Sequence, residues 1–124
     1  MGETRRTALI TGSGRNIGRA SALALARDGI NVIVNGSSKS AACDAVADEV
    51  RALGVEALVC MGDVGNPGDL EKMVAEGIKT FGRIDILVNN AAVRPNSPFL
   101  ETGEDEWERI LNIDFHAARR LAKL

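Results

Sequence analysis

Hydrophobic residues follow two alternating patterns along the 124-residue chain. Short apolar runs, rich in aliphatic and β-branched residues, are typical of strands covered on both faces. Longer segments repeat their apolar residues at helical spacing. The strand patterns cover residues 7–11, 31–35, 55–60 and 84–89, and each is followed by a helical pattern. This alternation predicts an α/β fold: a parallel sheet with right-handed crossovers and helices on both faces.

The predicted helix ends agree with this alternation. Gly29, Gly54 and Gly82 each stand just before or close to the start of the next strand, where glycine commonly ends a helix. Asn66 is placed to cap the third helix, whose first residue would be Pro67. Each of the first three helices therefore has a predicted stop, and the third also has a predicted start.

The fourth helical pattern closes the chain. Residues 102–105 resemble a capping box, with Asp105 in place of the usual Glu or Gln. The pattern predicts one buried stripe with Trp107 as its packing anchor, made of Trp107, Ile110, Leu111, Phe115, Ala118, Leu121 and Ala122. No stop signal precedes Leu124. We therefore expect one domain over residues 1–124 that is truncated within the fourth helix.

Composition narrows the class of protein. With 45% hydrophobic residues, 26% charged residues and a net charge of −2, the chain does not resemble a disordered tail. The chain has no excess of basic residues that would favour binding to nucleic acid. No apolar run approaches the roughly 18–20 residues that span a bilayer. The two cysteines have neither disulfide-scaffold nor metal-ligand spacing. We expect a soluble cytoplasmic protein without a metal site.

The turn after the first strand carries the main chemical signal. Residues 11–18 read Thr-Gly-Ser-Gly-Arg-Asn-Ile-Gly and open the first helix. Glycine lets the backbone turn sharply and approach a pyrophosphate, while the free N–H groups of the helix start hold its charge. The alternative is a tight turn with nothing bound. Three glycines in this segment exceed what a turn requires, and the strand–turn–helix context strengthens the motif.

This turn resembles the Thr-Gly-x-x-x-Gly-x-Gly fingerprint of the short-chain dehydrogenase/reductase family, with Asn16 at the middle glycine. Asn tolerates left-handed backbone better than most residues. Residues 81–91 are similar to the family's fourth-strand segment, with Ala92 in place of its last glycine. Asp63 and Val64, and the segment 107–111, also match family positions. The motifs occur in order over essentially the whole chain.

The resemblance implies a doubly wound Rossmann-type sheet, here the cofactor-binding half with strand order 3-2-1-4. It also implies that Asn89 ties neighbouring strands, while Asn90 and its two neighbours lie beside the nicotinamide ribose. The complete set of expected cofactor-binding residues is Gly12, Ser13, Gly14, Arg15, Asn16, Ile17, Gly18, Asn35, Ser37, Ser38, Asp63, Val64, Asn90, Ala91 and Ala92.

The segment after the second strand bears on cofactor choice. An acid there would bind the adenosine ribose hydroxyls and repel a 2′-phosphate. Residues 35–39 contain none; Ser37 and Ser38 offer hydroxyl donors, and Arg15 and Lys39 offer positive charge. We therefore expect NADP(H) rather than NAD(H). Alternatively, a serine merely caps the second helix and Lys39 is solvated, and both interpretations can hold together.

Catalysis is where the chain departs most from the family. The resemblance implies a Tyr and a Lys that transfer a proton, a Ser that positions the substrate oxygen, and a helical Asn. The chain contains no Tyr and ends before the segments that carry Ser, Tyr and Lys in the family. Asp114 stands at the Asn position and can accept a hydrogen bond without the amide donor. Alternatively, Asp114 is a partly solvated helical residue.

Two functions remain open. The first is the NADP(H)-binding portion of an oxidoreductase that transfers hydride between nicotinamide and a small carbonyl or alcohol substrate. We expect the 124 residues alone to be inactive in this reaction. The second is an inactive, truncated nucleotide-binding or remnant protein. A half of a nucleotide-sugar epimerase is disfavoured by Asp63 and by Asn89, Asn90 and Ala91. An open edge at the fourth strand predicts either a homo-oligomer, through that edge or the fourth helix, or a fragment of a longer protein.

Overall fold

The computed structural model describes residues 5–124 and contains one four-stranded parallel sheet. Its strands are β1 (Thr7–Ile10), β2 (Asn31–Gly36), β3 (Ala57–Met61) and β4 (Ile86–Val88). The order β3-β2-β1-β4 confirms the prediction of 3-2-1-4. In the register, Leu9 of β1 lies beside Ile33 on one side and Leu87 on the other. The third strand begins two residues later than predicted, and the fourth is shorter at both ends.

Helices connect the strands, and two short irregular turns interrupt the last third of the chain. The regular helices are α1 (Asn16–Arg27), α2 (Ser40–Ala52), α3 (Pro67–Phe81), α4 (Glu104–Leu111) and α5 (Ala117–Lys123). A 3₁₀ turn at Phe99–Glu101 precedes α4, and a π-helical turn at Asn112–His116 separates α4 from α5. No helix within residues 5–124 is both long and apolar enough to cross a membrane.

Alternate residues of the central strands point into two separate cores. Ile10 and Val34 pack beneath α1 and α2, together with Ala22 and Val46. Their neighbours Leu9 and Ile33 pack on the opposite face, beneath α3 and α5, against residues that include Leu70, Met73, Ile113 and Leu121. Because both faces of the sheet are covered, the strands read as nearly continuous apolar runs. The predicted two-sided arrangement of helices is confirmed.

The glycine stops and the third helix cap are confirmed by local geometry. Gly29, Gly54 and Gly82 have φ values of +81°, +93° and +79°, the left-handed conformation that ends helices at low cost for glycine. The Asn66 side chain accepts hydrogen bonds from the amides of Gly68 (2.9 Å) and Asp69 (3.3 Å). Pro67 follows as the first residue of α3.

The capping box predicted at residues 102–105 is wrong. The residue that precedes α4 is Gly103, and no side chain caps this helix. The Thr102 hydroxyl instead donates to the carbonyl of Pro98 at 3.0 Å and lies 3.1 Å from the Ser97 hydroxyl. The threonine therefore closes the preceding 3₁₀ turn, a local bond that competes with helix capping for the same side chain.

The predicted buried stripe of the fourth helical pattern is also wrong over most of its length. The residues that reach the core are Ile113, Ala117 and Leu121. Trp107, Leu111 and Phe115 are 38%, 48% and 60% exposed. The helical segment has two apolar faces, and only one of them can meet the sheet. Sequence periodicity gives no basis for choosing between two such faces, and the π-helical turn shifts the register between them.

Candidate functional site

The strands end at a cleft of about 500 Å³ that opens above the carboxyl ends of β1, β2 and β4. The sheet changes direction between β1 and β4, and ligands of open α/β sheets bind at such a reversal. Most of the predicted cofactor-binding residues line this cleft: Gly12, Gly14, Arg15, Asn16, Ile17, Asn35, Ser37, Ser38, Asp63, Asn90, Ala91 and Ala92. The fold thus gathers into one place residues that lie up to about 80 positions apart in sequence.

Two residues of the turn adopt left-handed backbone conformations. Gly12 has a φ of +62°, and Asn16, at the family's middle glycine, has a φ of +52°. Asn16 is the one non-glycine residue among 5–124 with a positive φ. The expectation that asparagine preserves the turn is confirmed, because its short polar side chain tolerates this region better than most. Its exposed side chain lies at the cleft wall.

The start of α1 retains free hydrogen-bonding capacity toward the cleft. Arg15 precedes the helix in extended conformation, and neither a side-chain cap nor an acidic residue occupies the first turn. The first amides of a helix have no partner within the helix. An anion in the cleft would meet these amides and the positive end of the helix dipole.

Four predicted site residues do not line the cleft. Ser13, Gly18 and Val64 are buried behind it, and Asp114 lies outside it. Gly18 leaves room for its neighbours, because an added Cβ would lie 2.7 Å from both the side-chain Nδ2 of Asn90 and the Cα of Ser13. The Ser13 hydroxyl donates to the Ile10 carbonyl (2.8 Å) and accepts from the Asn35 amide (2.9 Å). Ser13 and Gly18 therefore support the turn from its buried side.

Asn35 lies at the cleft, and both polar atoms of its side chain are hydrogen-bonded to backbone. Its side chain is 1% exposed. Its Oδ1 accepts from the Gly12 amide at 3.1 Å, and its Nδ2 donates to the carbonyls of Cys60 at 3.0 Å and Gly62 at 3.3 Å. The side chain thus joins the ends of β1, β2 and β3.

The segment after β2 presents hydroxyls and positive charge to the cleft. Ser37, Ser38 and Lys39 are exposed and line the cleft, as does the exposed Arg15. The alternative that a serine caps α2 is wrong, because α2 follows Lys39 and has no side-chain cap. Gly36 keeps this wall thin: an added Cβ would lie 2.6 Å from the Cys43 sulfur.

The strand-tying role that the resemblance implied for Asn89 belongs to Asn90 in the structure. Asn89 is exposed, and it is Asn90 that ties the strand ends together. The Asn90 Nδ2 donates to the carbonyls of Thr11 (3.1 Å) and Gly12 (3.0 Å). The Thr11 hydroxyl in turn accepts from the amides of Asn90 (3.0 Å) and Ala91 (2.9 Å). Asn90 also lines the cleft, and its position beside a nicotinamide ribose stays a prediction.

Sequence reasoning missed several lining residues. Gly36, Ala42, Cys43, Val93, Arg109 and Ile113 all border the cleft. Arg109 and Ile113 are four positions apart in the last helical segment, a spacing that places side chains on one helix face. The sequence does not show that this face meets the cleft, because that depends on how the last helical segment docks. Arg109 and Asp63 both line the cleft and a smaller adjoining pocket. Asp63 orders its own loop by accepting from the Gly65 amide at 2.8 Å.

Asp114 holds the loop after β4 from the side. Its Oδ1 accepts from the Val93 amide at 2.8 Å, and its side chain is exposed. The acceptor role that the sequence allowed is therefore present, and its partner is backbone. Because Val93 lines the cleft, this bond joins the cleft wall to the π-helical turn.

Nucleophilic chemistry by the thiols is not favoured. Burial, and then the carboxylate of Glu76, raises the pKa of Cys60 to about 12. Burial also raises the pKa of Cys43. Both thiols therefore stay protonated near neutral pH, and the thiolate is the reactive form. Within residues 5–124, no group of three or more His, Cys, Asp or Glu side chains is arranged to hold a metal ion.

Comparisons with known proteins agree with this geometry. The family described as short chain dehydrogenase matches residues 6–124. A 3-oxoacyl-acyl-carrier-protein reductase from Synechocystis is 37% identical over 111 residues, which are 90% of this chain and 45% of that protein. An L-rhamnose 1-dehydrogenase (NAD(P)(+)) from Sphingomonas is 34% identical over 113 residues, covering 91% and 44% of the two chains.

A solved short-chain dehydrogenase/reductase mutant from Serratia marcescens superimposes with a TM-score of 0.90 at 27% identity, over 97% of this chain and 49% of that one. The chain thus spans about half the length of the relatives it matches. The family match covers the sheet, the glycine turn and the segments that line the cleft. The chain belongs to the short-chain dehydrogenase family.

Proposed function

We propose that this chain binds a nicotinamide dinucleotide, with NADP(H) preferred over NAD(H), as the cofactor-binding portion of an oxidoreductase. The observation that carries the proposal is the cleft itself. It joins the uncapped start of α1 to a corner that holds Ser37, Ser38, Arg15 and Lys39 and contains no acid. Of the two relatives described above, one is named a reductase and the other a dehydrogenase.

The residues present fit such a cofactor. The cleft volume of about 500 Å³ lies within the range of small-molecule and cofactor sites. Glycines at positions 12, 14 and 36 line the cleft and present backbone without a side chain to a phosphate or ribose. We assign the pyrophosphate to the start of α1, the 2′-phosphate to the Ser37 corner, and the adenine to the end near Asp63 and Ile113. Ala91 and Ala92 would border the nicotinamide ribose.

The bound cofactor would supply hydride transfer with a small carbonyl or alcohol substrate. The chain's own residues bind and orient the dinucleotide. No tyrosine occurs among the 124 residues, so the proton-transfer role that the resemblance implies has no candidate here. Asp114 acts as a positioning residue through the Val93 amide rather than as a proton donor. We therefore propose that the 124 residues alone bind cofactor without turnover.

Cofactor preference is tested by titrating the chain with NADPH and NADH at one ionic strength. Wild type should bind NADPH more tightly. Ser37→Asp should weaken NADPH binding about tenfold or more, because a carboxylate replaces a donor to the phosphate dianion. Ser40→Asp is the matched control: Ser40 is exposed, begins α2 and does not line the cleft. Equal affinity of wild type for both cofactors would contradict the NADP(H) assignment.

Turnover is tested separately with the same protein. Purified chain is mixed with NADPH and a panel of small carbonyl compounds, and cofactor oxidation is followed by absorbance. No oxidation above the rate without protein is expected. Detectable reduction that copurifies with the chain would overturn the proposal of binding without turnover and leave the cofactor assignment intact.

A second candidate function concerns assembly. Trp107, Leu111 and Phe115 form an exposed apolar face with Phe99, whose ring meets Trp107 edge-on at 5.9 Å between centroids. Acidic residues crowd α4, and α5 carries Arg119, Arg120 and Lys123. In an antiparallel pair of copies, each acidic half would face a basic half across the apolar face. We infer that a second copy covers this face.

A further inference from the structure

We propose that Asn35 is a positioning residue for the pyrophosphate end of the cleft. Its side chain holds the peptide of Gly12 in the orientation that aims the following amides at a phosphate. The inference rests on the proposed dinucleotide function and adds to it a residue that need not touch the ligand through its side chain.

Gly12 is held from both sides by asparagine side chains. Its N–H donates to Asn35 Oδ1 at 3.1 Å, and its carbonyl accepts from Asn90 Nδ2 at 3.0 Å. Both bonds act on a residue with a φ of +62° at the point where the chain leaves β1. A left-handed glycine has wide conformational freedom of its own. The two amides remove that freedom and fix the direction of the turn.

These bonds also decide which donors remain for a ligand. The Gly12 amide is used by Asn35, and the Ser13 amide donates to the Asn35 carbonyl at 2.8 Å. The donors left to face the cleft therefore begin after Ser13, at the uncapped start of α1. Asn35 thus shifts the anion-binding amides toward the helix, where the dipole adds to their attraction.

Asparagine suits this position because it combines one acceptor with two donors on a rigid plane. Oδ1 serves Gly12, while Nδ2 serves the carbonyls of Cys60 and Gly62. Aspartate would set a carboxylate against those two carbonyls. Alanine would leave the Gly12 amide without its acceptor, free to turn toward solvent or toward the phosphate itself.

The chain provides a matched control on the same strand. Asn31 is also buried in β2, and its Oδ1 accepts from the Glu56 amide at 3.0 Å. It lies four residues from Asn35, about 13 Å along the strand, at the end away from the cleft. Asn31→Ala therefore removes a similar buried bond without touching the turn. The difference between the two variants isolates positioning from general support of the strand.

The test compares two ligands on the full chain. NADPH contains the pyrophosphate, whereas 2′-AMP reports on the adenosine corner alone. Asn35→Ala should weaken NADPH binding about tenfold while changing 2′-AMP binding less than twofold. Asn31→Ala should leave both affinities near wild type. If Asn35→Ala does not fold, Asn35→Ser is measured in the same way, since its shorter hydroxyl keeps polarity without matching the three bonds.

Amide hydrogen exchange of the ligand-free protein gives an independent readout. Exchange at Gly12 should accelerate in the Asn35 variant and stay unchanged in Asn31→Ala. Equal loss of NADPH and 2′-AMP affinity, or unchanged NADPH affinity with faster Gly12 exchange, would overturn the role of Asn35 alone. Failure of wild type to bind either ligand would overturn the dinucleotide function, and the positioning role with it.

Discussion

At the scale of single residues, two departures from the family's pattern have different consequences. Asn16 replaces a glycine in a left-handed position and keeps the backbone there, with a φ of +52°. Asp114 replaces an asparagine and keeps an acceptor, bonded to the Val93 amide at 2.8 Å. In each case the substituted residue retains the geometric property that the fold uses. Asp114 loses the donor that an amide would also supply.

Substitution of Asp114 tests whether its bond holds the loop after β4. Asp114→Ala should lower the free energy of unfolding by about 1 kcal/mol, because the Val93 amide loses its acceptor. Asp114→Asn should remain close to wild type, since the amide oxygen can accept the same bond. Urea unfolding at neutral pH measures both variants. Equal losses in the two variants would mean that this bond is not the source of the stability.

The sequence predicted residues that belong to motifs better than residues that support them. Gly12, Gly14, Asp63 and the two serines after β2 all line one cleft, and their contacts with a cofactor stay a prediction. Ser13, taken as a ligand contact, is buried with its hydroxyl bonded to the ends of β1 and β2. A motif records that a residue type is needed but not whether its side chain faces the ligand or the core. That distinction depends on the strand ends meeting in space.

At the scale of elements, α3 has the most complete local signals. Asn66 caps it through two amides, Pro67 opens it, and Gly82 ends it in left-handed conformation. Asn66→Ala should lower the free energy of unfolding by about 1 kcal/mol, since two amides of the first turn lose their acceptor. Asn66→Asp should retain the cap and its stability. Thermal unfolding of the three proteins distinguishes a cap from an inert loop residue.

The hydrogen bonds of Asp85, just before β4, predict that the free energy of unfolding depends on pH. The Arg83 guanidinium, and then the Thr7 amide, lower the pKa of Asp85 below its usual 3.8. A carboxylate with a lowered pKa stabilises the fold above its unfolded pKa and loses that contribution as pH falls through the folded value. Asp85→Asn should therefore destabilise the protein at pH 7. The difference from wild type should shrink below about pH 4.

Urea unfolding between pH 3 and 7 measures this difference, with Asp48→Asn as the control. Asp48 pairs with Arg51 at 3.2 Å on α2, but its side chain is 79% exposed. Exposed pairs contribute little to stability, so this variant should follow wild type at every pH. A destabilisation by Asp85→Asn that is constant across the range would show that the carboxylate's charge is not responsible.

The elements were predictable where one apolar face met one core. The helical spacing of the apolar residues in α3 predicts a stripe of Leu70, Met73, Val74, Ile78 and Phe81. Leu70 and Met73 are buried, and Val74 and Phe81 pack partly buried against the same core, whereas Ile78 is 45% exposed. The last helical segment failed this reasoning because it is apolar on two sides. Ile113 faces the sheet, and Trp107 faces outward. The π-helical turn that separates the two faces has no recognised signature in the sequence, since its residues also suit a regular helix.

At the scale of the whole molecule, the order of the strands was implied by the resemblance to the family, and it is one of the arrangements that connectivity allows. Right-handed crossovers between short strands leave few arrangements, and the observed order is the expected 3-2-1-4. That order brings Asn35, Gly12 and Asn90 together from three different strand ends. The cleft was therefore predictable as a location. Its wall from Arg109 and Ile113 was not, because it depends on how the last helical segment docks.

The exposed face of α4 leads to the last prediction, that the chain self-associates with antiparallel helices. Leu111→Asp should shift the protein toward monomer, because it places a charge in the centre of the apolar face. Ile78→Asp is the matched control, since Ile78 is similarly exposed (45%) but lies on α3. Sedimentation equilibrium measures both. Because acidic α4 would face basic α5 of the second copy, added salt should weaken association. A wild-type monomer at high concentration, or equal effects of the two variants, would contradict this interface.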